Sequence, residues 1–170
     1  MAAARALVLT MVITFAVVLQ VALFPHLAYA GVVPNLALLV VVAAALVRGP
    51  EFAAVIGFLS GLAIDLAPPA DHVAGRWALA LVVVGYLAGR VRQDARTSAL
   101  AAIVTVAAAS FVGTSIFALS GMVLSDPAVP AVEALAVIPT AVVYDVLITP
   151  FVLPLMMRLF RRLEPHQVAY

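Results

Sequence analysis

Residues 57–66 read GFLSGLAIDL. With Ala53 upstream, small residues and one acid recur at every fourth position, as Ala53, Gly57, Gly61 and Asp65. Positions four apart share one face of a helix, and a stripe of small side chains lets two membrane helices bring their backbones close together. The acid closes an otherwise apolar run from Phe52 to Leu66. An ionisable group in such a helix is costly unless it faces a protein interior or a watery cavity, usually with a partner.

Moving outward from this stretch, the apolar character persists. The chain has 170 residues, 66% of them hydrophobic and 10% charged, with a mean hydropathy of +1.24. An ordinary soluble domain carries about 25% charged residues, so too little polar sequence exists to coat a water-soluble globule. Five more apolar segments flank the first, giving spans near 6–24, 34–47, 52–66, 77–89, 98–124 and 131–157 in a single transmembrane domain, 1–170. The fold class expected is all-α, a polytopic membrane protein of six transmembrane helices. A spanning helix needs about 20 apolar residues. Segments two to four fall short of that, so five full spans and one re-entrant piece is the other reading.

Arginine placement sets the orientation. Lysine is absent and nine arginines supply the cations. With the N-terminus inside, Arg5, Arg48, Arg90, Arg92, Arg96, Arg158, Arg161 and Arg162 fall on the cytoplasmic side and Arg76 alone falls outside. Cytoplasmic loops retain arginine during insertion, so eight against one places both termini in the cytoplasm and requires an even number of crossings. Ala28-Tyr29-Ala30 imitates a signal-peptidase site, but the run before it covers 19 residues, Ala6 to Phe24, longer than a signal peptide's apolar core. It is expected to stay as the first span. Arg161 and Arg162 are expected to anchor the tail on anionic headgroups.

Counting from each cytoplasmic charge locates a polar layer. Gln20 lies 15 positions from Arg5, Asn35 13 from Arg48, Asp65 14 from Glu51, Arg76 14 from Arg90, Ser110 14 from Arg96 and Asp145 13 from Arg158. At about 1.5 Å per residue these six share a depth of about 20 to 22 Å. Two readings follow: an outward-facing polar pocket with Asp65 and Asp145 as anions and Arg76 as their cation, or helix ends that finish at this depth beneath a thinned bilayer. Gly85 and Gly89 repeat the glycine spacing on segment four, so segments three and four are expected to pack closely through Ala53, Gly57, Gly61, Gly85 and Gly89. Arg76 lies on the face opposite Gly85, which weighs against a direct bridge to Asp65. Pro139, Pro150 and Pro154 interrupt segment six and read either as a bent core helix or as a partner groove.

Signals for chemistry are sparse. The chain has no cysteine, which excludes disulfides, thiolate metal sites and cysteine nucleophiles. His26, His72 and His166 form no i, i+4 pair of the kind that holds a helical metal site. Asp71-His72 reads as a solvated loop pair. No G-x-S-x-G surrounds Ser60 and no phosphate-cradling G-x-x-x-x-G-K-[ST] loop occurs. No cofactor is expected, and a net charge of +1 names no nucleic acid as partner.

The order of Pro34-Asn35-Leu36, GFLSGLAIDL at 57–66, Gly75-Arg76-Trp77-Ala78-Leu79 and GYLAG at 85–89 resembles the MreD family of rod shape-determining proteins over nearly the whole chain. Asn35 stands where that family frequently has an aspartate. The resemblance implies a fold similar to the substrate-binding subunits of energy-coupling vitamin transporters. It implies a non-enzymatic scaffold of the bacterial cell-elongation machinery in the plasma membrane, directing lateral peptidoglycan synthesis and cell shape. Its partners would be an MreC-like single-span protein and, indirectly, the MreB filament and the peptidoglycan synthases, with membrane lipid around it and homo-oligomers possible. A substrate-binding subunit of a vitamin-type transporter is the competing reading, since a polar pocket suits both.

Overall fold

A computed structural model describes residues 2–28, 31–68, 72–95, 98–124 and 131–163. The segments containing Tyr29 and Ala30, Pro69 and Asp71, Arg96, and His166 lie outside the described residues. The described chain is helical: α1 Ala2–Val18, α2 Leu36–Arg48, α3 Pro50–Leu66, α4 Arg76–Arg90, a single turn α5 Arg92–Ala95, α6 Ala99–Val123 and α7 Ala131–Arg162.

The six apolar segments are the six long helices, and their lengths fall in two classes. Ala3–His26, Ala99–Val123 and Ala136–Arg162 are long and apolar enough to cross a membrane. α2, α3 and α4 have 13, 17 and 15 residues, or about 20, 26 and 23 Å of helix. Their boundaries follow local chemistry. α2 begins at Asn35, whose side chain accepts from Leu38 N–H at 2.9 Å, a standard N-cap; Pro34, the residue expected to open the helix, precedes the cap. Gly49, at φ 95°, closes α2 and opens α3 directly, with Pro50 in the first turn of α3. This left-handed backbone suits glycine. α7 runs through its three prolines to Arg162, five residues beyond the expected end.

α2 is the axis of the bundle. Every residue from Leu36 to Val47 is buried, as befits a helix that is apolar on all sides. α3, α4, α6 and α7 pack around it, while among the described helices α1 approaches α2 and α3. In lipid, withdrawing Leu or Val from acyl chains gains little; dispersion and satisfied polar groups hold helices together. The outer surface is correspondingly apolar. Phe15 on α1, Phe58 on α3, Phe111 on α6, and Val143, Leu147, Phe151 and Leu155 on α7 are all exposed. On α7 the opposite stripe, Ala141, Asp145, Thr149 and Leu153, is buried.

The tightest pairing is α3 with α4, through the glycines read from the sequence. A Cβ on Gly57 would fall on the Leu81 carbonyl, and one on Gly61 on Trp77 and Ala78 backbone. Reciprocally, a Cβ on Gly85 would strike the Ala53 carbonyl and one on Gly89 the backbone of Pro50. These two backbones touch with no side chain between them.

Candidate functional site

The polar side chains Gln20, Asn35, Asp65, Arg76, Ser110 and Asp145 are all buried. The structure sorts them into three clusters, each at the end of a helix.

The first closes α2. A helix leaves its first N–H groups unsatisfied, and here that end is buried. Asp145, reaching across from α7, accepts from Asn35 N–H at 2.6 Å. Gln20 accepts from Ala37 N–H at 3.1 Å, and Asn35 itself serves Leu38. The second Asp145 oxygen takes the Ser110 hydroxyl of α6 at 2.7 Å. Thr149 donates to the Asp145 carbonyl at 2.6 Å. Four elements therefore meet at one helix end. Gln20 reaches it from a π-helical turn, Leu19–Leu23, that interrupts α1 before the 3-10 turn Phe24–Leu27 around Pro25.

The second closes α4. Asp65, in the last turn of α3, accepts from Gly75 N–H at 2.9 Å, Trp77 N–H at 3.1 Å and Ala78 N–H at 3.0 Å. Its Oδ1 also meets His72 Nε2 at 3.0 Å. A carboxylate accepting several N–H bonds at a helix N-terminus is favoured by the bonds and by the helix dipole together. Two expectations are corrected here. Among the described residues the ionisable side chain that meets Asp65 is His72, not Arg76. His72 is no solvated loop residue, since its side chain is only 16% exposed.

The third involves Arg76, the first residue of α4. Its guanidinium turns away from its own helix to the end of α6, donating through Nη2 to the Phe117 carbonyl at 2.6 Å. It lies over the Phe117 ring with 3.9 Å to the centroid. Trp77 stacks on the same ring at 4.5 Å and His72 meets it edge-on at 5.2 Å. Gly121 makes room, because a Cβ there would strike the guanidinium. A cation suits the C-terminal turn of a helix, so the sign rule that places the two acids also places the arginine.

Phe117 and Gly121 were not singled out in the sequence, and His72 was read there only as a loop residue. Phe117 and Gly121 carry no local mark beyond an apolar helix, whereas His72 could have been found as the residue just ahead of a capped helix start.

At the other end of the molecule, Arg48, Arg90 and Arg92 gather with Glu51 and Gly89 around the α2–α3 turn, lining a cleft of about 500 Å³. Arg48 lies 4.2 Å from the Phe52 ring centroid, and Phe52 meets buried Phe160 edge-on at 6.2 Å. Arg161 faces α6, Arg158 borders the clefts on both the α6 and the α1 side of α7, and Arg162 is exposed at the end of α7. Arg96 lies outside the described residues.

Among the described residues no group of three His, Cys, Asp or Glu side chains comes together as a metal would require. The hydrogen bonds of these polar residues include ones to backbone N–H groups, to a backbone carbonyl, to one another and to the side chains of His72 and Ser120.

These features define a class: a polytopic helical membrane protein whose intramembrane charges fasten helix ends to one another. Residues 2–163 match the family described as rod shape-determining protein MreD, and the chain belongs to that family. Neither the curated proteins nor the solved structures give a match.

Proposed function

We propose that this protein is a non-enzymatic scaffold of the bacterial rod complex. It sits in the plasma membrane with both termini in the cytoplasm, holds an MreC-like single-span protein and helps direct lateral peptidoglycan synthesis. The observation that carries this reading is the family match over residues 2–163, joined to a body whose exposed surface is apolar on its outer helices. The concentration of arginines at one end supports the orientation: Arg48, Arg90, Arg92, Arg158, Arg161 and Arg162 all lie at or just beyond the ends of α2, α4 and α7. The polar layer fits a scaffold better than a transport subunit, because its hydrogen bonds join helix to helix. A scaffold needs surfaces that stay in register, and fastened helix ends provide that.

Affinity purification of the tagged full-length chain from its native membrane, with partners identified by mass spectrometry, tests the reading. An MreC-like single-span protein is the expected companion. Recovery of a small molecule together with an ATPase module, and of no such companion, would sink it. Reporter fusions at the two termini test the orientation separately, and activity of a periplasmic reporter at either end would refute it.

A further inference from the structure

A groove of about 1050 Å³ separates α1 from α7. Met11 and Phe15 wall it on one side, Val152 and Met156 on the other, and Val40 of α2 forms part of its floor. No α1 Cα comes within 8 Å of an α7 Cα, so the two helices flank the space without closing it. At one end stand Arg158 and Arg162, one helical turn apart, both exposed and paired with no acid among the described residues.

Two properties of this groove point to one kind of occupant. The first is its length. From Val152 to Arg162 the α7 wall covers eleven residues, about 15 Å of helix from first to last. That is half of a hydrocarbon core of about 30 Å, or one leaflet, whereas a partner's spanning helix would call for a seat of full thickness. The second is its polarity. An apolar trough ending in two guanidinium groups matches an acyl chain ending in a phosphate, which arginine holds by paired N–H bonds. A void would forfeit the dispersion contacts of its lining, and in a bilayer the acyl chain is the filler at hand.

We propose that this groove binds one anionic phospholipid from the leaflet at the arginine end. Its acyl chains lie between α1 and α7 and its phosphate rests on Arg158 and Arg162. The site is independent of the scaffold reading, which concerns protein partners.

Native mass spectrometry of the purified full-length chain, titrated with phosphatidylglycerol or with phosphatidylcholine, tests it. Retention of one phosphatidylglycerol in preference to phosphatidylcholine is expected. A basic residue near a lipid surface is worth a factor of about five, so Arg158→Ala with Arg162→Ala should weaken phosphatidylglycerol binding about 25-fold. Leu155→Trp, which fills the groove and leaves both arginines, should weaken it as well. Arg90→Ala with Arg92→Ala, at the other arginine cleft, should leave it unchanged. Equal retention of the two lipids, or parental retention in both the double-alanine and the tryptophan variants, overturns the proposal. So does photocrosslinking from position 156 in native membranes that captures a protein helix in place of lipid.

Discussion

The α3–α4 seam and the α1–α7 seam lie in one small bundle and are built from the same kinds of apolar residue, yet they are opposite in closeness. At the first, Gly57, Gly61, Gly85 and Gly89 bring two backbones into contact, and Asp65 fastens the end of one helix to the start of the next. At the second, no backbone approach occurs and a groove of about 1050 Å³ remains. Hydrophobicity alone does not bind helices in lipid. What separates the two seams is small residues at a spacing of four together with a charge at the right helix end. The first seam is complete within the chain, whereas the second is left for something outside it.

The comparison breaks most visibly at Gly61. Gly61→Leu forces a branched side chain into Trp77 and Ala78 backbone and is expected to cost about 3 kcal/mol or more, or to prevent folding. The matched change on exposed α1, Thr14→Leu, should stay within about 0.5 kcal/mol. Thermal unfolding of the two variants in detergent reads the difference, and equal stability would dissolve the contrast.

Next in size is the cap on α2. Asp145→Leu strands Asn35 N–H and the Ser110 hydroxyl in the core, at about 3 kcal/mol. Asp145→Asn keeps a carbonyl oxygen for one of them and should cost about 1 kcal/mol. Denaturant titrations that rank the two changes the other way would mean that the carboxylate serves something other than these donors.

Gly121→Ala sharpens the picture at the third helix end. It displaces the Arg76 guanidinium from the Phe117 carbonyl, with an expected loss of about 1 to 2 kcal/mol. Trp77, the only tryptophan of the chain, stacks on Phe117 and should report the change as a shift in fluorescence emission. An unaltered spectrum would place the guanidinium elsewhere. The smallest effect needs no mutation: amides of α1 should exchange hydrogen faster than those of α3 and α4, since sparse packing lowers the cost of local opening. Uniform protection across the three helices would contradict the open seam.

How much of this was legible in the sequence depends on how local each determinant is. The six segments and the α3–α4 contact could be read because apolar runs and a spacing of four are properties of consecutive residues. That the six polar residues are buried was legible too, but not their grouping: on α6, Ser110 holds Asp145 while Phe117 and Gly121, seven and eleven positions further along, receive Arg76. What each polar group holds was not legible. The meeting of Asp65 with His72 rather than Arg76 depends on where the start of α4 falls against the end of α3, and the choice of Phe117 by Arg76 depends on the placement of α6, Phe117 being 41 positions away. The π-helical turn that aims Gln20 at α2 leaves no mark beyond Pro25 nearby.

The uneven length of the outer helices has a consequence for the surrounding lipid. Along the face made by α3 and α4 the apolar height is about 23 to 26 Å, while α6, with 25 residues, offers about 37 Å. A bilayer of uniform thickness cannot match both, and each ångström of mismatch costs a fraction of a kcal/mol. The difference is met by tilt of α6 or by thinning of the bilayer along α3 and α4.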